Sequence, residues 1–235
     1  MTAWRKMGAG VAALGLLAFP SCSALAGDAA HPTVIELFQS QGCSSCPPAN
    51  ANLIRFAERK DVLALTFAVT YWDYLGWKDT FATPEFTARQ WAYAKAMGQS
   101  EVYTPQIVVN GRTAGVGVED GEMADLARRF DRGAGGPALA LEAGAATIGA
   151  GAAPPQGADV WLVDYQPGVA EVAVRRGENA GRTLAHENVV RRLVLIGHWS
   201  GQAERLPVPP AQAGLAQAVL VQAPDVGPIL AAARD

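Results

Sequence analysis

Cys43 and Cys46 are the residues whose type and spacing most directly imply chemistry. Two thiols with two residues between them can close a small disulfide ring and exchange it with another disulfide. The thiolate is the reactive form, and it is favoured where a helix N-terminus offers unpaired N–H groups and a partial positive charge. The residues around the pair supply that setting. Thr33 to Phe38 has strand composition, Gln39 to Gly42 is a polar turn, and helical spacing begins after Pro47 and Pro48.

A structural disulfide, or half of a metal site, uses the same two residues. Closing so short a loop constrains the unfolded chain by only about 2 kcal/mol, against about 3 for a fifteen-residue loop. A chain of 235 residues hardly needs that contribution. No second Cys-x-x-Cys and no His-x-x-x-His completes a four-ligand zinc set. Dithiol chemistry therefore leads, with Cys43 as nucleophile and Cys46 as the inward-facing partner. A staple in a non-catalytic binding protein is the alternative, and copper handling by two soft thiolates is a weaker third. No cofactor and no metal ligand set is expected.

The compartment follows from the first residues. Arg5 and Lys6 precede the apolar stretch 8–19, which is too short to span a bilayer, and Ala24-Leu25-Ala26 is a small-residue cleavage site. Residues 1–26 are expected to be a signal peptide cut after Ala26, giving a periplasmic or secreted protein. Lipidation of Cys22 is the less favoured alternative. Of the three cysteines, loss of Cys22 leaves only Cys43 and Cys46, in a compartment that permits disulfides. The net charge of −3 offers no basic footprint for nucleic acid. No later segment reaches transmembrane length. The expected partner is a protein thiol or disulfide, and oligomeric state is not encoded legibly.

The elements that must position the pair come in order. Val34 to Phe38 reads as a buried strand. Ala49, Leu53, Phe56 and Ala57 share a helical face, and 62–69 is a near-continuous apolar strand suited to the centre of a parallel sheet. Tyr71, Trp72, Asp73, Tyr74 and Trp77 form an aromatic loop beyond that strand, either walling the cleft beside Cys43 or packing on itself. Thr83, Pro84 and Glu85 open a second helix, which Gly98 closes. Asn110-Gly111 predicts a tight hairpin, with Pro105 just ahead of its first strand. Position alone favours an ordinary trans proline there. A last helical face carries Met123, Leu126, Ala127 and Phe130.

Beyond the Gly-rich linker 131–137, alternation replaces helical periodicity. Strands are expected over 138–142, 159–165, 169–175, 184–186, 189–197, 203–207, 215–222 and 229–233, with 143–158 a flexible connection. His186 and His198 read as strand or turn residues. Gly177 to Arg182 reads equally as a tight turn or as a functional loop carrying Glu178, Asn179 and Arg182.

The order strand, Cys-x-x-Cys, helix, strand, helix, proline, hairpin, helix resembles the thioredoxin fold. Glu36-Leu37-Phe38 leading to Gln41-Gly42-Cys43-Ser44-Ser45-Cys46-Pro47-Pro48, then 71–79, then Val102-Tyr103-Thr104-Pro105-Gln106 and Gly177–Arg182, are together similar to an uncharacterised family of secreted bacterial thioredoxin-like proteins, domain of unknown function 1223. The resemblance implies a cis peptide at Thr104–Pro105 facing the dithiol, offering backbone hydrogen bonds to a substrate strand. With it, Ser44, Ser45, Tyr71, Trp72, Asp73, Trp77 and Tyr103 become candidates for the substrate cleft. Family members often carry His and Asp where this chain has Ala68 and Thr70, which removes those groups as proton carriers or metal ligands here. The expected architecture is an α/β thioredoxin-like domain over 31–132, followed by an all-β antiparallel, sandwich-like domain over 137–235.

Overall fold

The computed structural model describes residues 1–2, 28–142 and 144–235. The expected signal peptide and Cys22 lie almost wholly outside the described residues. The first half supplies β1 (Thr33–Gln39), α1 (Cys46–Ala57), β2 (Val62–Ala68), α2 (Pro84–Ala96), β3 (Gln106–Val109), β4 (Thr113–Gly115) and α3 (Glu122–Arg129). A single 3-10 turn, Asp73–Leu75, interrupts the aromatic loop. The local signals work as expected. Thr83 Oγ1 accepts the Phe86 amide with Pro84 in the first turn, and Asn110 and Gly111 both take positive φ, at 50° and 64°.

The second half contributes β5 (Leu139–Glu142), β6 (Ala145–Ile148), β7 (Ala158–Ala173), β8 (Thr183–Trp199), β9 (Glu204–Pro207), β10 (Ala216–Gln222) and β11 (Ile229–Arg234). Two pairs of expected short strands are continuous. Residues 159–165 and 169–175 merge in β7, and 184–186 and 189–197 merge in β8, with register shifts where breaks were expected. The stretch 143–158 is not merely a connection, because β6 pairs with both β5 and β9.

The expected division into a thioredoxin-like α/β domain and a separate all-β domain is overturned. One mixed eight-stranded sheet runs β11-β10-β7-β8-β2-β1-β3-β4, so strands of both halves lie in it. The junction is β2 against β8, joined in parallel at Thr66 and Val189. Side chains extend this short ladder: Thr66 Oγ1 donates to Glu187 O at 2.5 Å, and Asn188 Nδ2 donates to Ala64 O at 3.0 Å. β2 is buried along its whole length, so its outer edge needs hydrogen-bond partners, and β8 supplies them.

One face of the sheet forms a core continuous across both halves. Val34, Phe38, Leu65 and Phe67 pack there with Val163, Val190 and Leu220, under Phe86 and Tyr93 of α2. On the opposite face Ile35, Leu37 and Ala64 meet Ala49 and Leu53 of α1 and Met123 of α3. Val160, Leu162, Val219 and Val221 instead meet Ala146, Ile148 and Leu206 of the small sheet β5-β6-β9.

A buried polar network crosses the seam. Arg89 Nε donates to Glu36 Oε1 at 2.8 Å, with both side chains essentially inaccessible. Tyr93 OH donates to Glu36 Oε2 and accepts from Arg89 Nη2 and from Gln222 Nε2. Gln222 Oε1 accepts a second bond from Arg89 Nη2, tying β10 to α2 and β1. Removing one partner of such a pair strands a buried charge. Arg89→Met should therefore cost about 3–5 kcal/mol in urea unfolding, while Glu36→Leu with Arg89→Met should recover most of it. A single variant of near wild-type stability would show that Glu36 needs no countercharge.

Candidate functional site

The site is built at the C-terminal end of β1. Val69 N donates to Gln39 O, which holds the ends of β1 and β2 side by side. A turn follows, in which Gly42 N donates to Ser40 Oγ and Cys43 N donates to Ser40 O. Gly42 suits this turn because a Cβ there would lie 3.1 Å from Cβ of Trp72. Helix α1 begins at Cys46 with Ser45 as N-cap, and the prolines sit in the first turn, where no N–H is missed. Cys43 and Cys46 are joined as a disulfide with their Cα atoms 5.5 Å apart.

Both cysteines are fully inaccessible, whereas Ser44 and Ser45 between them are exposed. Cys43 is thus not the exposed member that the sequence reading favours. Ser45 Oγ lies 3.3 Å from Cys43 Sγ and within 3.5 Å of Thr104 O, so one hydroxyl spans from the disulfide to the proline segment. The Thr104–Pro105 peptide is cis. Trp72 Nε1 donates to Thr104 Oγ1 at 2.7 Å, fixing the aromatic loop to that segment.

The aromatic loop is bonded both to itself and to the cysteine turn. Gln41 N donates to Asp79 Oδ2 at 2.7 Å, and Trp77 Nε1 donates to Gln41 Oε1 at 2.9 Å. Asp73 Oδ1 accepts the Asp79 amide, which aims that carboxylate. Burial pushes the Asp79 carboxyl up, against the pull of its bonds from the Gln41 and Phe81 amides. Tyr71 OH donates to Gln90, whose amide donates to Tyr103 O; burial pushes the Tyr71 phenol up to about 12. Tyr74 points to solvent and takes no part. Gln41 was not singled out from the sequence, since a lone Gln in a polar turn carries no signal of its own.

The structure also brings Gly177–Arg182 to this site. This segment is the tip of the β7–β8 hairpin, closed by Gly181 N on Val174 O and Val174 N on Arg182 O. Asn179 is buried, and its Nδ2 donates to Gln41 O at 3.0 Å and to Cys43 O at 2.9 Å. Glu178 Oε2 accepts the Ser44 amide at 3.0 Å. The segment is the tight turn that one reading expects, and it lies against the cysteine turn.

Behind Cys46, one turn along α1, Asn50 meets His186 of β8, with Nδ2 and Nδ1 3.3 Å apart. His186 is fully buried against Phe81, and its Nε2 has no hydrogen-bond partner among the described residues. His198 lies at the other end of β8, near Asp159, so the two histidines are not brought together. Among the described residues no three His, Cys, Asp or Glu side chains gather as a metal-binding group.

Burial lowers the His186 imidazole from its ordinary value near 6.5 to about 4. The unfolded chain then binds the extra proton first, so stability rises with pH between about 4 and 6.5 and is lost on acidification through that window. The full shift corresponds to up to about 3 kcal/mol. His186→Gln keeps an acceptor for Asn50 and removes the titration. Its urea midpoint should fall less than that of the wild type between pH 7 and pH 4; parallel pH curves would mean that His186 is not buried neutral.

Comparisons with known proteins find the same fold over most of the chain. A protein of Agrobacterium tumefaciens of known crystal structure is 31% identical, covering 86% of this chain and 92% of its own, with a TM-score of 0.72. HBP35 of Porphyromonas gingivalis shares the fold at 13% identity and a TM-score of 0.61, covering 89% of this chain and 76% of its own. No curated protein matches the chain. A family described as protein of unknown function (DUF1223) matches residues 34–222, which include the cysteine turn, the cis proline and the hairpin tip, and the chain belongs to that family.

Proposed function

We propose that this protein is an exported thiol–disulfide oxidoreductase that works through Cys43 and Cys46. The observation that carries the reading is the joining of the disulfide to the Thr104–Pro105 segment through Ser45, beside the exposed Ser44–Ser45 edge. Export rests on the charge and apolar pattern of residues 1–26, and an oxidising compartment suits a chain whose other cysteine lies in that segment. Among the described residues no helix is long and apolar enough to cross a membrane. The partner is a protein carrying a thiol pair or a disulfide.

In the reducing direction the Cys43 thiolate attacks one sulfur of the partner disulfide. That bond breaks, its second sulfur leaves as thiolate and takes a proton, and Cys43 is held in a mixed disulfide. Cys46, deprotonated, then attacks Cys43 Sγ and expels the partner's other sulfur. The partner gains two electrons and the Cys43–Cys46 disulfide is restored. The oxidising direction runs the same bonds backwards, a partner thiolate attacking Cys43 Sγ. On this reading Thr104 and Pro105 would meet the partner strand, and Tyr71, Trp72, Asp73, Trp77 and Tyr103 would line or brace the cleft; in support, Trp72 bonds to Thr104 and Trp77 to Gln41 beside the cysteine turn.

One observation favours a second reading, a permanent structural disulfide: neither cysteine has accessible surface. The two readings separate on the reduction potential, measured by equilibration with glutathione and alkylation. Values between about −120 and −270 mV belong to exchange catalysts, and values below about −300 mV to structural bonds. Cys43→Ser should reduce exchange with a model disulfide to background, and Cys46→Ser should accumulate mixed disulfides with partner proteins. A potential below about −300 mV, with both variants unchanged in exchange assays, would leave the structural reading.

A further inference from the structure

The hairpin tip does more than cover the cysteine turn. Asn179 is clamped from both ends, its Nδ2 on Gln41 O and Cys43 O and its Oδ1 on Arg182 Nη1 at 2.7 Å. This clamp fixes the neighbouring residue, Glu178, so that its carboxylate accepts the Ser44 amide. Ser44 lies between the two cysteines, just ahead of the first turn of α1. Its N–H lies one residue ahead of the Ser45 N-cap, beside the region of partial positive charge that would favour a thiolate on Cys43.

Among the described residues, the other charged or titratable groups around the turn are accounted for. Asp79 is turned to the Gln41 amide and Asp73 to the Asp79 amide. Arg182 is bonded to Asn179, and His186 is reached only through Asn50. Tyr71 and Tyr103 are phenols that burial keeps protonated near neutral pH. The first turn of α1 carries no acidic residue. Glu178 is therefore the carboxylate bonded to the residues between the two sulfurs.

We infer that Glu178 is a positioning residue of the dithiol, which claims the Ser44 amide and sets its own negative charge against ionisation of Cys43. The inference rests on reading the pair as redox-active, and it names what tunes it. Destabilising the thiolate destabilises the reduced protein, so Glu178 shifts the couple toward the disulfide and a more negative potential. The contribution is a fixed charge delivered by the β7–β8 hairpin. Because Glu178 is exposed, salt screens the effect.

The test uses the full mature chain and the variants Glu178→Gln, which keeps an acceptor for Ser44 and removes the charge, Glu178→Asp, and Glu178→Lys. Protein reduced with a phosphine is titrated by thiolate absorbance at low and high salt, and the glutathione equilibrium is read in parallel. The expected order of Cys43 acidity is Lys above Gln above Glu, with Asp close to Glu. Glu178→Gln should move the dithiol–disulfide equilibrium about threefold to tenfold toward the dithiol, up to about 30 mV for a two-electron couple. High salt should shrink the difference. Equal acidity in all four proteins, or shifts that ignore charge and salt, would overturn the role of Glu178. The thiolate titration gives this answer even if the wild-type pair proves too stable to exchange, a result that would instead count against the oxidoreductase reading.

Discussion

The buried outer edge of β2 is the constraint on which the rest of the structure depends. β2 is apolar and covered on both faces, so its backbone groups cannot turn to water and must be paired within the protein. β1 satisfies one edge in parallel register. The other is met by β8, whose Glu187 is 121 residues distant from Thr66. Only a short ladder forms there, and Thr66 and Asn188 complete it with side-chain bonds to main-chain carbonyls. Asn188 can do so because it takes a left-handed conformation, with φ of 45°, that asparagine tolerates.

Two consequences follow from that junction. The first is that the halves of the chain share one hydrophobic face, and the ionic network of Glu36, Arg89, Tyr93 and Gln222 sits within it as a polar knot across three elements. The second is that β7 and β8 continue past the junction as a long hairpin. Its distal end lies against α1 and carries Asn179 and Glu178 to the cysteine turn. The disulfide is thus framed by three separate stretches: the aromatic loop through Gln41, the cis proline through Ser45, and the hairpin tip through Cys43 O and Ser44 N.

The electrostatics of that frame are opposed by design of position. A helix start favours negative charge on a nearby sulfur, while in the proposed role the Glu178 carboxylate on the Ser44 amide disfavours it. On the proposed redox reading, the balance between these groups sets how tightly the protein holds its disulfide.

Residues close in sequence made much of the site legible beforehand. The strand–turn–helix around Cys43 and Cys46, the Thr83 cap and the Asn110-Gly111 hairpin arise from side-chain chemistry acting over a few positions, which composition and spacing record. The division into two domains was misread because linker composition and a change of periodicity describe the chain locally and say nothing about which strand completes which edge. The same limit hid β6, whose Ala145–Ile148 has little strand propensity and pairs because β5 and β9 flank it. The sequence reads Glu178 and Asn179 equally as turn or functional-loop residues, and it is the β2–β8 pairing that carries their hairpin to the cysteine turn. The disulfide-forming pair was local information, whereas its burial and its charged neighbours were decided by backbone pairing between distant strands.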